Sequence, residues 1–589
     1  MTAPPPAPHS PRTFRFLRIL LRSNEPALVA AAAVIGVGVA LCVTAMTQFA
    51  NLAHVLIFGL PFDVRLSAAD KIAPLAAFLS LGLGGLLLGS IAAWRQKHKK
   101  PPAVDPIEAN ALHGGRMSLR DSLLVSVQTT LSNACGASVG LEAGYTQIGA
   151  GIGSKFGQIF GLRRRDLRLL LAAGTAAAIG GSFGAPLTGA FYAFELILGT
   201  YSIAAAGPIF SASIVGVLTT RALSGAPYQL HIPPVPALPL AHYPALILLG
   251  AFAAALGVTA MRAASAAESA FKKTRTPIWA RPVLGGMVVA ALAVATPQAL
   301  GAGHGALALD IRMDLPARTL AFLLAVKMIA CMTSLGSGFR GGLFFASLVM
   351  GALLGKLFCA VATMALPGID LDSTICALTG MATLGVAIVG GPLTMSFLVL
   401  ENSSEFSVTA AILTAAIGAS IIVRATFGYS FSTWRLHLRG ENIRSANDIG
   451  WIRELTVGRL MRRSPPLADE NSDIKALCAA YPLGSEQTIV VTGDKGRYAG
   501  LVSLAEAHRI AQQTSEPRRL GDIAHFGAIY LTESMNAKLA MTAFDQAQTD
   551  QLAVIDPTTM KPMGLLTEAY IARRYGEAAD EAARGILGI

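Results

Sequence analysis

The chain has 589 residues, 53% of them hydrophobic and 14% charged, with a mean hydropathy of +0.54 and a formal net charge of +12. These values exclude a soluble globular protein and a disordered one. The positive charge does not point to nucleic acid, because it is clustered beside apolar runs and forms no stripe on a soluble domain.

The N-terminal segment carries Arg12, Arg15, Arg18 and Arg22. Ser23-Asn24-Glu25-Pro26 then reads as a helix start, with cap residues and an early proline. The apolar run at 27–45 is too long for a signal-peptide core, so a retained span is expected. Residues 1–24 form a basic cytosolic segment in this reading. Apolar runs recur as far as Arg424, many long enough to cross about 30 Å of hydrocarbon. Basic clusters at 95–100, 163–168, 272–281 and 435–444 flank them. Positive-inside logic puts these loops, and both termini, on the cytoplasmic side of a bacterial inner membrane. The six cysteines have no metal or CxxC spacing, and neither a metal nor a cofactor is expected.

Gly140-Leu141-Glu142-Ala143-Gly144 sets one carboxylate among glycines at the head of an apolar segment. A charge at membrane depth costs about 2.5–3.5 kcal/mol on insertion scales, so it is usually kept for function. Glycines there leave backbone N–H groups open to a ligand, as a helix N-terminus also does. An anion and the Glu142 carboxylate would compete for one electropositive spot.

Many apolar segments are broken by Gly or Pro, at Gly180-Gly181, Ala185-Pro186, 336–342 and Gly390-Gly391-Pro392. Transporters use such broken helices to aim their termini at a substrate. Two breaks repeat. Ala185-Pro186-Leu187-Thr188 leads to Glu195, and Gly391-Pro392-Leu393-Thr394 leads to Glu401, 206 residues on in both cases. The matching offset indicates a duplicated architecture. Both glutamates are expected to be structural, capping backbone or tying helices together.

From Trp451 onward, charges and short apolar runs alternate, as in a soluble domain. The strands 488–491 and 500–503 are echoed by 552–556 and 564–567, a β-α-β-β-α spacing. Residues 455–461 are expected to open the first copy.

Together these segments resemble the CLC chloride channel/transporter family over nearly the full chain. The family motifs G-[RK]-E-G-P-x-x-Q-I-G, F-N-A-P-L-A-G and G-G-x-F-x-P are similar to 140–149, 183–189 and 341–346. The A-P-L-T…E segment is similar to 391–401, and a late tyrosine to Tyr429. The resemblance implies an α-helical polytopic membrane domain at 25–440, an inverted repeat of about eighteen helices. It implies a homodimer with a pore in each subunit, and a cytosolic CBS-pair-like α/β domain at 451–589. It gives Glu142 and Tyr429 gating roles. Its anion site maps to Leu141, Glu142, Ala143, Leu343, Phe344, Phe345 and Tyr429, with Ala103 where the family has a coordinating serine. Amide donors suit this task, because they replace water around an anion without holding it too tightly.

The departures matter as well. Asp105 beside Ala103 would add a repulsive charge if it faced the pore. Leu196 stands where proton-coupled members carry a second glutamate, and leucine cannot carry a proton. The expected function is transmembrane chloride transport by a passive channel, not an enzymatic activity. The alternative is a chloride/proton antiporter, or an exchanger with another selectivity such as fluoride or nitrate. In the C-terminal domain Glu506 fits a ribose-holding position loosely and Tyr570 does not, so a structural role outweighs adenine-nucleotide binding.

Overall fold

A computed structural model describes residues 18–21, 24–225, 232, 238–365, 370–439, 455–513 and 517–587. Most of the basic segment 1–24, the end of the 435–444 cluster and Trp451 lie outside the described residues. The chain divides into two units, Met1–Asn447 and Asp448–Ile589.

Among its described residues, the first unit is built of helices, with strand-like pairing only at one isolated bridge. Among the described residues seven helices are long and apolar enough to cross a membrane, beginning with Glu25–Phe58. That helix starts where the sequence indicates, with Pro26 in its first turn, although the Asn24 side chain makes no cap bond. Other helices are shorter or broken, and helices of both kinds pack by close backbone approach. Helix Glu142–Ile159 crosses Arg164–Phe183 with Gly149 against the Gly174 carbonyl. Helix Phe344–Ala365 crosses Ser373–Val389 in the same way, with Gly351 against the Gly380 carbonyl. A Cβ at any of these four glycines would strike backbone, which explains small residues at both crossings.

The two halves are tied by a reciprocal exchange of carboxylates. Helices Pro186–Tyr192 and Pro392–Ser403 both begin with proline and lack a side-chain cap from their own N-cap residue. The first amides of a helix have no intrahelical acceptor. Here Glu401 accepts from the Leu187 amide at 2.7 Å, the Thr188 amide at 2.8 Å and the Thr188 hydroxyl at 2.6 Å. Glu195 accepts from the Leu393 amide at 3.0 Å, the Thr394 amide at 2.8 Å and the Thr394 hydroxyl at 2.6 Å. Each half therefore caps a helix of the other, and a carboxylate at a helix N-terminus also meets the favourable end of its dipole. This is what the 206-residue repeat encodes.

The second unit holds two β-α-β-β-α copies. In the first, strand Leu467–Asp469 runs parallel to Thr488–Thr492, which pairs antiparallel with Tyr498–Ser503. In the second, Leu531–Thr532 is parallel to Gln551–Ile555, which is antiparallel to Pro562–Thr567. Ile489 and Val491 face one core, whereas Val490 and its strand partner Leu501 pack with Ala553 and Ile555 of the facing sheet. One expectation changes. Residues 455–461 join the second copy, not the first: the Val457 and Gly458 amides bond Met535 and Glu533 carbonyls, and Arg462–Arg463 pairs with Pro562–Thr567. The chain crosses over because the second sheet has a free edge that this segment completes.

Glu401→Ala strips three bonds from a helix start, and is expected to lower stability by about 2–5 kcal/mol in detergent thermal unfolding. Glu405→Ala, at an exposed neighbour, serves as the reference. Equal losses for the two variants would contradict the capping role.

Candidate functional site: a carboxylate between two cavities

Two loops from opposite halves meet at the head of helices Glu142–Ile159 and Phe344–Ala365. The Gly140 amide donates to the Gly342 carbonyl at 2.9 Å, and the Gly342 amide donates back to Gly140 at 3.2 Å. A Cβ at Gly140 would occupy the Glu142 Oε2 position, and one at Gly341 would strike Val139. The bridge fixes Glu142 against the first turn of the opposing helix.

Glu142 is 3% exposed, and its Oε2 has no hydrogen-bond partner among the described residues. Its carboxylate is approached by its own amide and by that of Phe345. It lines two separate cavities. The larger, about 150 Å³, is bounded by Ala103, Asp105, Ala143, Tyr192, Leu343, Phe344 and Phe431, with Arg340, Arg435 and Arg439. The smaller, about 60 Å³, is bounded by Asn51, His54, Arg65, Leu141, Tyr145 and His304. One carboxylate thus forms a wall common to two chambers.

The sequence-derived residues largely converge. Ala103, Glu142, Ala143, Leu343 and Phe344 share the larger cavity, and Leu141 faces the smaller. Asp105 does line the larger cavity, while its Oδ1 caps the helix Pro106–Leu112 through the Ile107 amide at 2.9 Å. Phe345 is fully buried and carries a stack: its ring lies parallel to Phe183 at 6.0 Å and against His304 at 3.7 Å.

Tyr429 is a correction. It does not face Glu142 but lines a third cavity with Glu195, Leu196 and Arg424. Ser430 caps the helix Phe431–Leu438 by accepting from the Thr433 amide, and this sets which residues turn inward. Tyr429 is then folded back on that helix, stacked on His437 at 4.7 Å with its hydroxyl 3.3 Å from Nδ1. Phe431 takes the cavity-facing position, and the phenol in that cavity is Tyr192.

Sequence reasoning missed His304. Its Nε2 lies 3.8 Å from Glu142 Oε1, at the start of helix His304–Arg312. Gly303, at φ +102°, provides the left-handed turn that admits it. The only available signal was Gly301-Ala302-Gly303, a glycine-rich break before a helix. His54 lines the same chamber, with Nε2 2.9 Å from the Asn133 carbonyl.

Broken helices from two related halves, with amides and one buried carboxylate gathered between chambers, are the architecture of a membrane transport protein. The family model for voltage gated chloride channels matches residues 84–424, and the chain belongs to that family. The chain is 27% identical over 399 residues to the voltage-gated ClC-type chloride channel ClcB of Salmonella dublin, covering 67% of this chain and 95% of that one. A slow cyanobacterial Cl⁻/H⁺ antiporter matches with a TM-score of 0.61 at 21% identity, over 70% of this chain and 97% of that one. A eukaryotic CLC transporter matches with a TM-score of 0.59 at 16% identity, over 95% and 98%.

Gly140→Ala places a methyl where Oε2 rests, and the flexible carboxylate must leave its seat. The variant is expected to fold and to pass chloride from liposomes faster than the wild-type protein. An unchanged rate would show that the seat does not limit flux.

Proposed function

We propose that the chain carries chloride across a bacterial inner membrane as a passive channel gated by Glu142. The observation that carries this reading is the position of Glu142 as the wall common to two cavities, with one oxygen unpartnered. Ionised, the carboxylate occupies the spot that helix-terminal amides offer to an anion. Protonated, it loses that attraction, leaves, and lets chloride take its place. First-turn amides near Ala143 and from Leu343 to Phe345 hold the ion, and their dipoles bind it weakly enough for release.

The passive reading rests on position 196. Leu196 lines the third cavity beside Glu195 and has no titratable group. Glu195 itself is committed: its oxygens accept from Leu393 and Thr394, and Oε1 also accepts from the Tyr201 hydroxyl at 3.0 Å. A relay from that side therefore lacks a free carboxylate at either residue. The protein works as a homodimer with its termini in the cytoplasm, which puts the arginine-lined cavity on the inner side. The C-terminal unit supports that dimer rather than binding nucleotide: Glu506 lies 3.4 Å from His525 and 3.8 Å from Arg509.

Glu142→Gln keeps the shape and removes the charge. Chloride flux from liposomes is expected to rise and to lose most of its dependence on pH across the range where a carboxylate changes charge. A pH response equal to that of the wild-type protein would sink the gating role.

A further inference from the structure

We infer that the larger cavity is a binding site for a polyvalent oxyanion, a phosphate group, which seats on its arginines and blocks the route to Glu142. Binding stands independently of the transport reading; the block rests on it.

Three guanidinium groups line this cavity, from Arg340 in the loop before Leu343 and from Arg435 and Arg439 at the end of one short helix. None of the three makes a side-chain hydrogen bond or ion pair within the described residues. They are close enough to repel one another: Arg435 and Arg439 act on Arg340, and Arg439 on Arg435. The opposing charges that reach them come from Asp105 and Glu268, and Glu268 is already paired with Lys272 at 2.8 Å. Within the cavity itself, three positive charges face one carboxylate beyond Glu142. Ser432, Thr129, Thr146 and Gln147 add neutral polar side chains to the lining.

Three gathered guanidinium groups are more charge than one conducted monovalent ion needs, since conduction requires binding weak enough for the ion to leave. They are also the wrong shape for chloride. A guanidinium presents a planar fork of N–H groups that matches two oxygens of a phosphate, not a sphere. Unpaired guanidinium groups held together carry a repulsive strain that a divalent oxyanion would relieve. The family pattern has Arg or Lys immediately before the gating glutamate, and here that residue is Leu141, facing the other chamber. Arg340 returns a positive charge to the anion route, but from the opposing loop and on the arginine-lined side.

The test uses the full chain. Titration calorimetry in detergent, with gluconate replacing chloride, reads binding of inorganic phosphate and, in a separate arm, ATP. Saturable phosphate binding is expected. Arg340→Gln and Arg435→Gln should each weaken it about tenfold, the scale of one charge-assisted bond. Asp105→Asn keeps a capping residue but removes the opposing charge, so it should tighten binding without disturbing the fold. ATP weakened in parallel by the arginine variants supports a nucleotide phosphate as the source; ATP indifferent to them supports free phosphate. Absence of saturable phosphate binding, or affinities unmoved by all three substitutions, overturns the site. Phosphate trapped inside liposomes should then slow chloride release. Full release at a saturating phosphate concentration overturns the block. No release even without phosphate removes the transport reading and leaves the binding result standing.

Discussion

The structure depends on one exchange of carboxylates. Glu195 of the first half caps the helix that opens at Pro392, and Glu401 of the second caps the one that opens at Pro186. Helices that break inside a membrane expose amides that no water can satisfy. Supplying the acceptor from the other half solves that problem twice and locks the halves in register. The Gly140–Gly342 bridge makes a further tie between the halves beside the site, at a place where any side chain would displace the Glu142 carboxylate. The separation of fastened from unfastened carboxylates follows. Glu195 takes four donors and Glu401 three, whereas Glu142 keeps an oxygen unpartnered among the described residues. A carboxylate with all its acceptors engaged is a fastener, and one with a free oxygen is able to move.

The same contrast bears on proton coupling. A carboxylate relay needs groups that release their partners as they change charge. The carboxylate nearest the third cavity, Glu195, is held by two amides and two hydroxyls, and its neighbour is Leu196. A proton there would have to undo the joint between the halves. The likeness to a Cl⁻/H⁺ antiporter, at 21% identity, speaks to the fold that both proteins share.

The fold was legible in the sequence where chemistry repeats. Pro-Leu-Thr followed at fixed distance by glutamate recurs, so the clamps could be anticipated as a pair of structural carboxylates. Glu142 stood out because a charge among glycines in an apolar run has few uses. The failures share a cause as well. Tyr429 and Phe431 are two residues apart, and only the Ser430 cap decides which of them turns toward the cavity. His304 lies 162 residues from Glu142 and reaches it through the Phe183–Phe345–His304 stack, a contact that no local spacing encodes. Arg340, Arg435 and Arg439 read as ordinary basic residues near apolar edges until the fold gathers them in one cavity. Residues 455–461 were assigned to the nearest strand in sequence, but a free sheet edge in the second copy takes them.

The most direct test of the account is simultaneous recording of chloride and proton movement from liposomes that hold the full chain under a chloride gradient. A passive pathway gated by Glu142 predicts chloride release that collapses with the chloride gradient and drives no proton uptake. Proton movement against its own gradient, in fixed ratio to chloride, would contradict it and require a relay that bypasses Leu196.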